Sequence, residues 1–160
     1  MDTLALDDAA LANYLSDMIP GFVGPVISEK FSGGQSNPTY LLRAVSGEYV
    51  LRRKPPGQLL KSAHAVEREF RVMQALADSA VPVPRTFHLC TDETVIGSVF
   101  FVMEYVKGQI FWDPCLPELS RSQRHQTYRE MCRVLATLHQ VDVEVVGLGD
   151  YGRPTTSTST

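Results

Sequence analysis

Apolar residues recur at Leu11, Tyr14, Leu15 and Met18, the spacing of one helix face, and Asp7 or Asp8 stands where an N-cap would sit. This predicts a helix over residues 8–18, closed by Pro20, Gly21, Gly24 and Pro25. The pattern then shortens. Residues 26–31, 39–45 and 48–53 read as strands, with turns at Ser32–Gly33–Gly34–Gln35–Ser36–Asn37 and Ser46–Gly47. Strands this close in sequence are most simply antiparallel hairpins. After the rigid stretch Lys54–Pro55–Pro56–Gly57, Val66, Phe70, Met73 and Ala77 fall on one face of a helix over 62–78. Two prolines hold 81–84 extended. Residues 85–90 and 99–106 are strands around a turn at 91–93, and 122–139 is a helix. Ser120 with Gln123 fits a capping box, and Tyr128, Met131, Leu135 and Leu138 are its expected buried stripe. The last residues, 155–160, are only Thr and Ser and are expected to be disordered.

The order helix, three strands, helix, two strands predicts an α+β fold with a five-stranded antiparallel sheet over 26–106 and the 62–78 helix on one face. A hydrophobic fraction of 44% supplies a core. The net charge of −3 argues against a nucleic-acid surface, so no nucleic-acid partner is expected. The three cysteines form no C-x-x-C pair, and the four histidines sit on different elements, so no metal site is expected. The acidic start has no basic n-region and the longest apolar run, 99–103, is far too short to span a bilayer. A cytoplasmic protein without a membrane partner is expected.

Four stretches could carry chemistry. Ser32–Asn37 holds two glycines between strands, which suits either an ordinary hairpin turn or a backbone cradle for an anion. It is neither a Walker loop nor a Rossmann fingerprint. Along 49–53, alternation puts Val50 and Arg52 on one strand face and Tyr49, Leu51 and Arg53 on the other. With Val66 at zero, Glu69 falls at about 300°, on the apolar side of its helix, and Glu67 at about 100°. A carboxylate on the apolar side needs a partner or a place at the rim, and Arg52 is the natural partner. Finally, the apolar strand 100–106 runs into a polar stretch ending at Gly108, where a planar ligand could take backbone hydrogen bonds.

Taken in order, Phe31–Tyr40, Tyr49–Gly57, His64–Phe70, Val81–Arg85, Val95–Gly97, Phe101–Val106 and Phe111–Pro114 resemble the aminoglycoside phosphotransferase and choline kinase superfamily, which has the protein-kinase-like fold. The nearest branch is the kinase-like domain of acyl-CoA dehydrogenase family members ten and eleven. The resemblance implies an N-terminal helix and linker over 1–25, a kinase-like N-lobe over 26–108, the start of a helical C-lobe over 109–154, and a tail. It implies ATP as cofactor, with Mg2+ in the complete family member, and a small-molecule hydroxyl as phosphoryl acceptor. Ser32, Gly33, Gly34, Gln35, Ser36 and Asn37 would lie over the phosphates. Arg52 would stand where most kinases carry Lys, with Glu69 as its partner. Met103 would be the gatekeeper, the Glu104 carbonyl and Val106 N–H would bind the adenine edge, and Val50 would pack on its face. Asp113 is read as a cap rather than a ribose ligand.

The catalytic H-G-D-x-x-x-x-N and the later metal-binding carboxylates of that superfamily are not in these 160 residues; asparagine occurs only at 13 and 37. Asp150–Tyr151–Gly152 follows the last helix with no catalytic loop between and is read as a turn. The expectation is therefore a truncated, catalytically incomplete phosphotransferase, with no catalytic and no metal residues of its own. The alternative is a non-catalytic nucleotide-binding or protein-interaction module.

Overall fold

The computed structural model describes residues 5–32, 37–55 and 66–152. Helix α1 (Asp8–Met18) starts where Asp7 accepts the Ala10 N–H at 3.0 Å, so Asp7 is the cap. Then come β1 (Val26–Lys30), β2 (Thr39–Ala44), β3 (Gly47–Arg53), α2 (Val66–Leu76), β4 (Thr86–Cys90), β5 (Phe100–Glu104) and α3 (Arg121–His139). All the expected elements are present. Helix α2 stops at Leu76 because Ser79 turns back and gives both its N–H and its hydroxyl to the Leu76 carbonyl. Strand β5 stops at Glu104, opposite Tyr49, near the start of β3 where the ladder runs out. The β2–β3 hairpin needs Gly47, whose φ of 143° is open to glycine and strained for other residues. Residues 33–36, 56–65 and the 155–160 tail lie outside the described residues.

The sheet order is β1-β2-β3-β5-β4, antiparallel throughout. Register fixes its two faces. Tyr40, Leu51 and Val102 stand abreast, and with Leu42 and Phe100 they pack on Leu11 and Leu15 of α1 and on Ile19 at its C-cap. Phe101, with Leu89 and Met103, packs on Val66, Phe70 and Met73 of α2. Each fully buried Leu or Phe contributes about 1.5–3 kcal/mol. Sequence order foresaw α2 on the sheet but not α1 on the opposite face. Helix α1 is fastened to both edge strands: Asp8 accepts the Ser28 N–H of β1 at 3.1 Å, and the Tyr14 hydroxyl is 2.9 Å from His88 Nε2 of β4. Burial pushes the Tyr14 pKa up and the His88 pKa down, so both favour their neutral forms at this contact.

The chain divides into two compact units, residues 1–74 with 84–106, and residues 75–83 with 107–160. The second contains α3, whose capping box is present: Ser120 Oγ accepts the Gln123 N–H and the Gln123 side chain accepts the Ser120 N–H at 2.9 Å. The expected burial of its stripe is not found. Tyr128, Met131, Leu135 and Leu138 are 42–58% exposed, and Met131, Val134, Leu135 and Leu138 line a shallow apolar groove. Periodicity marks which face of a helix is apolar; it does not supply a partner element. Among the described residues, no strand and no second complete helix belongs to this unit. Met131→Lys and Leu135→Lys are therefore expected to change unfolding free energy by no more than about 0.5 kcal/mol each. Urea titration of the two variants checks this, and a loss above about 2 kcal/mol would show the stripe to be covered. Among the described residues, no helix is long and apolar enough to cross a membrane.

Candidate functional site

Strand alternation decides what each arginine of β3 can reach. Thr39, Arg52 and Phe101 stand abreast across β2, β3 and β5, as do Leu41, Val50 and Met103. These six share the face that carries α2. Val66 and Phe70 bury themselves against Val99 and Phe101, with the Phe70 and Phe101 ring centres 5.9 Å apart. That packing sets the rotation of α2 and turns Glu69 toward β3.

The expected pair is present. Arg52 Nε donates to Glu69 Oε2 at 2.5 Å and an Arg52 Nη2 hydrogen bond reaches Glu69 Oε1 at 3.3 Å, a side-on bidentate contact. Arg52 Nη1 donates to Thr39 Oγ1 at 3.0 Å. A guanidinium has five N–H groups. Three are committed here, and the other two, on the terminal nitrogens, have no partner among the described residues. Asn37 Nδ2 also donates to Glu69 Oε1, at 2.8 Å, and the Thr39 hydroxyl donates to the Asn37 carbonyl at 3.1 Å. Just past the end of β3, Lys54 Nζ meets Glu67 Oε1 of α2 at 2.5 Å. The Lys54–Glu67 pair was not anticipated: Glu67 lies about 200° around α2 from Glu69, so helical periodicity does not turn the two carboxylates toward the same strand face.

Arg53 lies on the opposite face, beside Phe100, and is 3% exposed. Its Nε finds no acceptor among the described residues. The two adjacent arginines are thus separated by the full thickness of the sheet.

The other predicted residues fall as follows. Ser32 is exposed, Gly33, Gly34, Gln35 and Ser36 lie outside the described residues, and Asn37 is buried with its amide on Glu69. Val50 is buried directly beside Met103. Glu104 is held to the strand before it, its N–H on the Arg85 carbonyl and its carboxylate accepting the Arg85 N–H. Val106 is exposed. The Asp113 carboxylate accepts the Cys115 N–H at 2.8 Å and closes a turn, not the start of a helix. Residues 150–152 form a turn and bend. Among the described residues, no group of three or more His, Cys, Asp or Glu side chains is arranged to hold a metal ion.

Comparison with known proteins gives a consistent picture. Residues 28–159 match the phosphotransferase enzyme family. The chain is 48% identical over 155 residues to an Arabidopsis thaliana protein assigned as an acyl-CoA dehydrogenase, covering 92% of this chain and 19% of that one. It is 45% identical over 152 residues to acyl-CoA dehydrogenase family member 10 of Mus musculus, covering 94% and 14% respectively. The crystal structure of a Ralstonia eutropha protein assigned to the aminoglycoside phosphotransferases superposes with a TM-score of 0.80 at 45% identity, over 94% of this chain and 43% of that one. The chain thus spans about one fifth or less of these curated relatives and under half of the solved structure.

Proposed function

Because this chain belongs to the phosphotransferase enzyme family, we propose that it is the nucleotide-binding part of an ATP-dependent phosphotransferase acting on a small-molecule hydroxyl. The observation that carries the reading is Arg52. It is fixed side-on by Glu69, braced by Thr39, and among the described residues keeps two N–H groups without a partner, the number a bidentate phosphate contact requires. The apolar pair Val50 and Met103 on the same face suits the adenine ring, with the backbone at Glu104 and Val106 at its edge. Ser32–Asn37 is assigned to the phosphates on sequence. ATP thus fits the residues present. No group of three or more His, Cys, Asp or Glu side chains among the described residues is arranged to hold a metal ion, and no step is assigned to magnesium in this chain.

These residues bind and orient; none is placed to deprotonate a hydroxyl. Phosphoryl transfer depends on positioned charge around the moving group and a base or orienting residue at the nucleophile. We therefore expect these 160 residues to bind ATP and to transfer nothing. Calorimetry with ATP and a coupled ADP-release assay with hydroxyl acceptors test this. Turnover that survives repurification, and is lost on mutating a residue of this chain, would overturn the second expectation. The exposed stripe of α3 favours another reading, a protein-interaction module. A folded chain with no affinity for ATP would select it.

A further inference from the structure

We infer that Asn37 is a positioning residue, which holds Arg52 in its phosphate-ready orientation from both sides. The inference rests on the reading of Arg52 as the phosphate ligand.

Asn37 is 3% exposed, and its amide has one described contact, the 2.8 Å donation to Glu69 Oε1. The direction is fixed by chemistry, since a carboxylate only accepts, so the nitrogen must be the atom facing it. Glu69 Oε1 is also the oxygen on which Arg52 has its longer contact, 3.3 Å against 2.5 Å at Oε2. Without the Asn37 donor, that oxygen would keep only the longer contact, and the carboxylate would be free to turn about its Oε2–Nε bond. The main chain of Asn37 acts at the other side of the guanidinium. Its carbonyl accepts the Thr39 hydroxyl, which leaves the Thr39 oxygen a lone pair directed at Arg52 Nη1. The result is a closed ring of hydrogen bonds: Asn37 amide to Glu69, Glu69 to Arg52, Arg52 to Thr39, Thr39 to Asn37 carbonyl. Such networks lose more than one bond's worth of order when a member is removed.

Asn37 is also the last residue of the glycine-bearing stretch 32–37. One residue therefore ties the end of that stretch to the strand cation, and a glutamine or serine would not reproduce the geometry.

The test uses Asn37→Ala and Asn37→Asp in the full chain. The first readout needs no nucleotide: the Arg52 Nε–H resonance in 15N-labelled protein, assigned by its loss in Arg52→Lys. It should be sharp and slow to exchange in the wild type, and broadened in Asn37→Ala. The second is calorimetry with ATP and adenosine. Asn37→Ala should weaken ATP by about three- to tenfold, the size of one lost hydrogen bond, and leave adenosine unchanged. A purely structural role would weaken both ligands together. Asn37→Asp sets a second carboxylate against Glu69. Its ATP affinity should be low at pH 8 and recover toward pH 5, where the new carboxyl is protonated and donates as the amide did. That variant carries the test if Asn37→Ala does not fold. An unchanged Arg52 resonance in Asn37→Ala, or equal losses for ATP and adenosine, would overturn the inference. A wild-type chain without ATP affinity would remove the phosphate reading instead, and the Arg52 resonance alone would then decide the positioning role.

Discussion

Phe101→Ala is expected to destabilise the sheet unit by about 3–5 kcal/mol, a large share of the roughly 5–15 kcal/mol that holds a domain folded. Phe101 is fully buried in the central region of β5, and it joins Val66 and Phe70 of α2 to the sheet. Truncation leaves a cavity on the face where no other aromatic ring can move in from the strands, because Phe100 points to the α1 side. The effect should reach the site. Once α2 loosens, Glu69 loses its fixed rotation and Arg52 its side-on partner. Urea unfolding followed by circular dichroism gives the stability term. Phe101→Leu, which keeps most of the volume, should cost about 1–1.5 kcal/mol. A loss below about 1 kcal/mol for the alanine variant would show that α2 is held to the sheet by something other than this contact.

Much of this arrangement is readable in the sequence, and the reasons differ by element. Strand alternation alone separates Arg52 from Arg53, since the side-chain period of a strand is two whatever surrounds it. Helical periodicity alone puts Glu69 on the apolar side of α2, and burial of a lone charge then requires a partner. Those two constraints meet at a pair 2.5 Å apart. The Asn37–Glu69 bond is a different matter. It joins residues 32 positions apart through the path of a glycine-bearing stretch, and no period relates them. The position of α1 on the far face was hidden for the same reason. It depends on Asp8 meeting Ser28 and Tyr14 meeting His88, two contacts set by tertiary packing. Helix α3 shows the limit from the other side. Its apolar positions have the same three- and four-residue spacing as those of α2, yet its members are exposed, because a pattern states what a face could bury and not what is there to bury it.

Arg52→Ala should weaken ATP by about ten- to one-hundredfold and leave adenosine almost unchanged, as expected for a lost charge-assisted contact to phosphate worth about 1.5–3 kcal/mol. Arg53→Ala is the control that gives the experiment its force. The two residues are neighbours in sequence and identical in charge, so any long-range electrostatic effect on an anionic ligand should be similar for both. Their surroundings differ. Arg52 is half-buried on the α2 face with two N–H groups that have no partner among the described residues, while Arg53 is buried beside Phe100 on the α1 face with its Nε unpaired among the described residues. Loss of Arg53 should therefore leave the ATP-to-adenosine ratio intact. Arg53→Met, which fills the same space without a buried charge, should keep or raise stability, because removing an incompletely paired buried ion relieves a desolvation penalty. Arg52→Lys separates charge from shape. A lysine keeps the cation but cannot hold Glu69 side-on and still offer two parallel donors, so it should recover only part of the ATP affinity. If Arg53→Ala instead gave the phosphate-dependent loss, or if both variants weakened ATP and adenosine alike, Arg52 would not be the phosphate ligand and the site would have to be sought on the other face of the sheet.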